Sequence, residues 1–212
     1  MSSLPAPSAA TKQLRFEQCT NSTPGGKALA ASSLLMSLKA EPSPDSSNVY
    51  IANAGLMLLW PFFTMLFDRS GYLQERAFKN PTAAERAAHL LQFLVTGGED
   101  FPEHLLVLNK LLCGIEQPQA LERILPLTPG EKATGEGLLG AALGQWAALK
   151  NTTITGLRET FLQRPGKLVW SPEKVTLTVE TKTVDILLDQ LPWSISLIKL
   201  PWMALPLYVT WR

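Results

Sequence analysis

The 212-residue sequence predicts an α+β domain, because helix-type periodicity fills the middle of the chain and strand-type alternation follows it. Apolar residues recur at helical spacing from Pro81 to about residue 163. Strict alternation then appears in "KVTLTVETK", shortly after the run "GKLVW". We therefore expect a helical N-terminal part that packs against a small, mostly antiparallel β-sheet from the C-terminal part.

Start and stop signals divide the helical part into four helices. Pro81 begins the first, which Gly97 ends, and Thr128 and Glu131 have the spacing of a capping box at the start of the third. The predicted ranges are 81–96, 102–114, 128–149 and 154–163.

The predicted sheet is built from a hairpin and two later runs. The hairpin turns around "SPE", and Pro201 and Pro206 divide the stretch "SISLIKLPWMALPLYVTWR" into two more strands. The range 184–188 predicts a short helix between the hairpin and these strands.

The stretch "VYIANAGLMLLWPFFTMLF", residues 49–67, has nineteen residues and no formal charge. Its length fits a membrane-spanning helix, but Asn53 and Pro61 interrupt it and "DRSG" follows it like an ordinary helix end. We expect a short strand followed by a helix of about sixteen residues. The side chains expected to be buried are Leu58, Leu59, Phe62, Phe63 and Leu66.

A membrane-associated protein is the alternative interpretation of residues 49–67. A second apolar stretch, Leu191 to Val209, carries only Lys199 as a charge, yet it also contains three prolines and strand-like alternation. An exposed belt of apolar side chains would favour the membrane; burial would favour a folded core.

Residues 1–47 are rich in Ser, Pro, Ala and Thr, which is typical of a flexible tail or linker. Within them "GKALAASSLLMSLKA" predicts a short helix, and no signal peptide is evident. We expect a single domain over 48–212. Cys19 and Cys113 lie in dissimilar surroundings, so a disulfide framework is not expected and a reducing compartment fits better.

The charge balance argues against nucleic acid as a partner. The 19 Lys and Arg residues are scattered and are matched by 18 Asp and Glu residues, whereas nucleic-acid-binding proteins cluster their basic residues on one face.

Few residues could carry chemistry. His89 and His104 match no metal-ligand spacing, Cys113 lies in the apolar run "LLCGI", and Asp185 and Asp189 are four apart on one possible helix face. A small hydrolase or metal enzyme would have to use these groups. We expect structural roles for them instead, and predict neither catalytic residues nor a cofactor or metal site.

Four blocks occur together in the chain: "VYIANAGLMLLWPFFTMLF", "ERAAHLLQFLVTGGEDFPEHLLVLNKLLCG", "LKNTTITGLRETFLQRPGKL" and "DILLDQLPWSISLIKLPWM". In this order they resemble the domain of the tape measure proteins of contractile injection systems, the phage-tail-like particles of bacteria. The resemblance covers roughly residues 48–212. It implies a structural role in setting tube length, with tube, baseplate or hub proteins as partners and neither catalysis nor a small-molecule substrate. It also implies assembly in the bacterial cytoplasm and a final place within the particle.

Buried aromatic and Arg side chains often anchor protein interfaces. If motif positions form a docking surface, the expected members are Trp60, Asn109, Lys110, Arg158, Arg164, Trp193 and Trp202. For the three tryptophans in this set, the alternative of a simple core position is slightly favoured over docking.

The length of the chain departs from what a molecular ruler needs. All 212 residues in one helix would span only about 320 Å, and a compact domain of this size only about 40 Å. The chain is therefore either a terminal module of a longer protein or a short member that caps, docks or chaperones.

Overall fold

The computed structural model of the chain describes residues 48–211, in which five strands form a mixed sheet. The strands of this sheet are β1 (Asn48–Ile51), β4 (Gly166–Trp170), β5 (Val175–Val179), β6 (Leu197–Ile198) and β7 (Leu207–Thr210). Their order in the sheet is β1-β4-β5-β7-β6, and only the β5–β7 pair is parallel. The predicted α+β class and mostly antiparallel sheet are confirmed.

The helices separate β1 from the rest of the sheet along the chain. The α-helices are α1 (Phe63–Arg69), α2 (Pro81–Thr96), α3 (Val107–Leu112), α4 (Pro129–Gln145) and α5 (Ile154–Leu157). Tighter 3₁₀ segments are Ala54–Phe62, Glu103–Leu106, Ala147–Leu149 and Thr183–Gln190, and Arg158–Leu162 is a π-helical turn. The predicted tail 1–47, with its short helix and Cys19, lies outside the described residues.

The sheet has one covered face and one open face. Leu168, Leu177 and Leu207 point inward and are fully buried, and the 3₁₀ helix Ala54–Phe62 packs against this side. On the opposite face Tyr50 is 78% exposed and Tyr208 is 42% exposed. This alternation is the period-2 pattern that predicted the strands.

The uncharged stretch 49–67 belongs to the core. After β1 it forms the 3₁₀ helix Ala54–Phe62, which continues directly into α1 and gives sixteen helical residues in all. The five side chains expected to be buried are at most 7% exposed, so that prediction is confirmed. Within residues 48–211 no helix combines the length and hydropathy needed to cross a bilayer.

Local signals set the ends of α2 and α4. The Asn80 side chain accepts a hydrogen bond from the N–H of Ala83 (2.8 Å), and Gly97 ends α2 in the left-handed conformation at φ 78°. Thr128 and Glu131 form the predicted capping box at the start of α4.

The third and fourth helices end or change sooner than predicted. Trp146 has an extended backbone, and its buried ring lies 4.9 Å from that of Phe161, so α4 ends at Gln145. Beyond α5 the chain widens into the π-helical turn, where Phe161 and Leu162 are both buried. Burial of these side chains outweighs continuation of the regular helix.

A small hairpin of β2 (Leu73–Gln74) and β3 (Ala77–Phe78) was not expected from the sequence. Its turn residues Glu75 and Arg76 both have positive φ, at 51° and 66°. Such turns usually use Asn or Gly, so the ordinary turn signal is missing here.

Gly55 lies where the 3₁₀ helix Ala54–Phe62 packs closely against the backbone of Phe161. A Cβ at this position would overlap the carbonyl of Phe161. We expect Gly55→Ala to lower the free energy of unfolding by on the order of 2 kcal/mol or more. Gly140→Ala is the matched control, since Gly140 lies on α4 with open space around it; we expect it to be neutral or to stabilise by up to about 1 kcal/mol. Urea unfolding of both variants makes the comparison, and equal midpoints would contradict this packing.

Candidate docking surface

Two of the predicted anchor residues, Trp60 and Trp193, form a reciprocal clamp. Trp193 donates its indole N–H to the carbonyl of Leu58 (2.9 Å), and Trp60 donates to the carbonyl of Ser194 (2.8 Å). In a 3₁₀ helix the Leu58 carbonyl would receive the N–H of residue 61, but Pro61 has none. Trp193 therefore supplies the donor that the proline removes.

The tryptophan clamp borders a cleft of about 350 Å³. Trp193 packs edge-on against Phe62, with 5.2 Å between ring centroids, and is itself half-buried. Ile195 and Val209 contribute apolar lining to the cleft, and neighbouring serines contribute hydroxyl groups. The arrangement combines a fixed aromatic wall with polar groups, which is the usual make-up of a recognition cleft.

Trp202 performs the same capping role at the end of α3. Its indole N–H donates to the carbonyl of Leu112 (2.7 Å), the last residue of that helix. Its ring lies 5.6 Å from that of Phe67 and 5.0 Å from that of Phe78. Trp202 is half-buried and connects the C-terminal part to the helices.

Asn109 is fully buried in an amide network between helices. Its side-chain N–H groups donate to the carbonyl of Ala88 (2.8 Å) and to Gln92 Oε1 (3.2 Å), while its Oδ1 accepts from Asn53 (2.7 Å). These bonds connect α3 with α2 and with the turn after β1. The residue stabilises the helical core from inside.

Lys110 is also buried, with 3% of its side chain exposed. Its ammonium group forms an ion pair with Glu103 and donates to the carbonyls of Gln117 (3.1 Å) and Gln119 (2.7 Å). Gln117 and Gln119 lie in the segment that follows α3, and Glu103 begins the 3₁₀ helix before it, so Lys110 joins the segments on both sides of α3.

Arg158 closes the C-terminal end of α2. Its Nε donates to the carbonyl of Leu94 (3.0 Å), and its guanidinium lies 5.5 Å from the ring centroid of Phe93. Gln163 donates to the next carbonyl, that of Val95 (3.1 Å). Cationic and amide donors are favourable here because the last helical carbonyls have no partners within the helix.

Arg164 has no exposed surface and binds Asp185 through two parallel hydrogen bonds of 2.8 and 2.9 Å. It also donates to the carbonyl of Glu180 (2.6 Å), and its guanidinium lies 5.5 Å from the ring of Trp211. The pair joins the end of β5, the π-helical turn and the C-terminal segment.

Asp185 receives further donors, namely the N–H of Lys182 (2.8 Å) and the indole of Trp211 (3.1 Å). Burial alone raises the pKa of this carboxyl, but the hydrogen bonds from Arg164 and these two groups outweigh it and hold the pKa below its ordinary value. Asp185 is therefore a charged partner of Arg164 at neutral pH.

The seven predicted anchor residues thus separate by exposure. Asn109, Lys110 and Arg164 are buried, whereas Trp60, Arg158, Trp193 and Trp202 remain half-buried. Only Trp60 and Trp193 meet in one clamp. Sequence reasoning missed that the Leu58 carbonyl needs a donor from outside its helix. Pro61, three residues later, is the signal that could have indicated this.

The residues considered for chemistry do not form one site. Asp185 is buried with Arg164 while Asp189 is exposed, since in a 3₁₀ helix positions three apart share a face and positions four apart do not. The two carboxylates therefore do not share a face, and Asp185 forms an ion pair instead. Burial raises the pKa of the Cys113 thiol, and His104 is exposed while His89 is buried. Within residues 48–211 no group of three or more His, Cys, Asp or Glu side chains could hold a metal.

The fold and its internal hydrogen bonds define an α+β structural domain whose unusual residues close helix ends and join segments. A family model described as contractile injection system tape measure protein matches residues 3–211. The chain belongs to this family. The match extends beyond the span 48–212 in which the resemblance was recognised, and includes most of the N-terminal segment. Neither the curated proteins nor the solved structures contain a match to this chain.

The Arg164–Asp185 pair predicts that substitutions of its two members have strongly non-additive effects on stability. Removing either partner leaves the other as an uncompensated buried charge, so Arg164→Met or Asp185→Leu should cost about 3–5 kcal/mol in the free energy of unfolding. The double variant should cost less than the sum of the two. Urea unfolding in a double-mutant cycle measures this coupling; additive effects would show that the two charges do not depend on each other.

His89 predicts a loss of stability in mild acid. It is 3% exposed, and its ring nitrogens make no hydrogen bond of normal geometry within residues 48–211. Burial lowers its pKa below the ordinary 6.5 and outweighs the opposing effect of the Glu122 backbone. Below pH 6.5 the unfolded chain therefore binds a proton at His89 more readily than the folded chain does. The free energy of unfolding should keep its full value above pH 6.5 and should fall as the pH drops below it.

The His89→Met variant should have a flatter stability profile between about pH 7 and pH 5 than the parent chain. His104→Asn, at an exposed position on another helix, is the matched control and should keep the parental slope. Chemical unfolding across this pH range gives the slopes. An unchanged slope in His89→Met would show that other groups cause the acid sensitivity.

Proposed function

We propose that the chain is an assembly protein of a bacterial contractile injection particle, which docks on tube or baseplate components and helps to set tube length. The observation that carries the proposal is the family match over residues 3–211. Tube, baseplate or hub proteins would be the partners. Nucleic acid, small-molecule substrates and membrane insertion have no part in this proposal.

The dimensions of the described helices favour docking over measurement by extension. The longest helix among residues 48–211 is α4, whose 17 residues span roughly 25 Å. In the sheet, Tyr50 pairs with Lys167, so the described chain folds back on itself. A module of this kind would affect tube length by fixing or capping one end of the assembly. Whether it acts alone or within a longer protein, the expected contact is the same.

The four half-buried anchor residues, Trp60, Arg158, Trp193 and Trp202, are our candidates for direct contact with a partner. Each keeps some surface while its donor groups are held by backbone carbonyls, so little side-chain entropy would be lost on binding. The buried Asn109, Lys110 and Arg164 would support the same surface by positioning its elements. The cleft beside Trp193 is the proposed centre.

The proposed role needs no chemistry from the chain, and we propose that it is not an enzyme. The family description names a tape measure protein, and Arg164 already neutralises the buried carboxylate of Asp185. Cys113, as a buried thiol with a raised pKa, is a poor nucleophile. We propose that the chain is made in the bacterial cytoplasm and then becomes part of the particle. In this scheme residues 48–212 act as one domain and 1–47 as its tail.

Deletion of the gene tests the proposal directly. We expect particles to be lost, or their tubes to have altered lengths, and the wild-type gene supplied in trans should restore them. Electron microscopy of purified particles gives both counts and lengths. Normal numbers of normal-length particles in the deletion strain would contradict the proposed function.

A matched pair of variants tests the cleft. Ile195→Glu places a charge in its lining, whereas Ile186→Glu places the same charge at a position that is 68% exposed and outside the cleft. We expect Ile195→Glu to lower incorporation into particles by roughly tenfold, which corresponds to about 1.4 kcal/mol, and Ile186→Glu to have no effect. Quantitative immunoblots of purified particles measure incorporation. Equal incorporation would place the contact elsewhere.

A further inference from the structure

The open face of the five-stranded sheet has its own chemical character. Its outward positions include the exposed Tyr50, Thr178, Leu197 and Tyr208, whereas the inward positions are apolar and mostly buried. An exposed sheet face that carries two tyrosines is not needed to complete the core. Aromatic residues of this kind are enriched where proteins contact partners.

Each of the two tyrosines has a lysine beside it. Tyr50 of β1 is the direct cross-strand neighbour of Lys167 in β4. At the other side of the face, the ammonium group of Lys174 lies 5.1 Å from the ring centroid of Tyr208. An ammonium group and a phenol O–H both donate hydrogen bonds, and a carboxylate accepts them.

The charge of the face is positive within the strands. Lys167 is the single charged residue at an outward strand position of the described sheet, and Lys174 adds a second cation from the turn before β5. The nearest acidic residues in sequence, Glu173 and Glu180, lie in that turn and just beyond the end of β5. A partner with carboxylates over the strands would complement this pattern.

The distance between the two Lys–Tyr pairs sets the length of the partner segment that can reach both. β1 and β7 are three strand positions apart, or about 14 Å, and Tyr50 and Tyr208 are offset by two residues, or about 7 Å. The two pairs are thus roughly 16 Å apart. An extended segment of about five residues covers this distance. Val169 and Thr176 lie between the pairs and leave room for close approach.

We infer that this open face binds an acidic, extended segment of a tube, baseplate or hub protein, with one carboxylate near each Lys–Tyr pair. The inference rests on the proposed function and adds the chemistry of the partner. A nucleic acid fits less well, because Lys174 lies over the ring of Tyr208, which a base would need for stacking, and two cations match few phosphates.

Carbodiimide cross-linking of purified native particles tests the inference, because this reagent joins lysine amines to carboxylates that are already in contact. We expect Lys167 and Lys174 to be cross-linked to Asp or Glu residues of another particle protein, identified by mass spectrometry. Cross-links from both lysines only to residues 1–47, or only to a second copy of this chain, would overturn the inference. So would release of the chain from particles by nuclease.

Charge reversal gives a second, independent measurement. Lys167→Glu combined with Lys174→Glu should lower incorporation into particles by roughly tenfold, while the matched double variant Lys79→Glu with Lys150→Glu, at exposed positions away from the sheet, should not. Circular dichroism and urea unfolding check that each variant folds. Unchanged incorporation of the first variant would overturn the inference but leave the proposed function intact, whereas absence of the wild-type chain from particles would contradict the proposed function itself.

Discussion

The buried Arg164–Asp185 pair is the interaction on which the rest of the described fold depends. The carbonyl of Arg164 accepts the N–H of Ala54 (2.9 Å), so the residue also fixes the start of the first 3₁₀ helix. Its guanidinium holds the end of β5, and Trp211 closes the site from the C-terminal segment. Removing two charges from water is costly, and several hydrogen bonds in correct geometry are required to offset that cost. These elements therefore have to come together as a unit.

A second constraint is the need of helix ends for hydrogen-bond donors. Short helices leave many carbonyls without backbone partners, and this domain has several of them. Trp202 and Arg158 supply donors to Leu112 and Leu94 near helix ends, and Trp146 does the same for Leu187 (3.1 Å). Trp193 supplies Leu58 within a helix, where Pro61 removes the backbone donor. The tryptophan and arginine residues of the four sequence blocks thus stabilise the fold in the first place. Any role in docking uses the surface that remains.

The sequence was informative where the cause is local and poor where it is tertiary. The Thr128–Glu131 capping box, the helix stop at Gly97 and the alternation of β5 depend on near neighbours, so pattern alone located them. The ion pair between Arg164 and Asp185 forms only when two segments meet in the fold, and no local sequence pattern predicts it. The seven docking residues stay a prediction, because their residue types can be read from the sequence but their exposure depends on tertiary packing. Asn109, Lys110 and Arg164 prove to be buried, which no local pattern indicates.

The pairing of β1 with β4 has a consequence for biosynthesis. Residues 48–51 are made more than a hundred residues before their strand partners at 166–169. Until then the apolar helix after β1 has neither its sheet nor Trp193 to cover it. A nascent chain must therefore remain partly unfolded, with an aggregation-prone surface, until these later strands have been made. Synthesis of the last strands thus sets the earliest time at which the described fold can form.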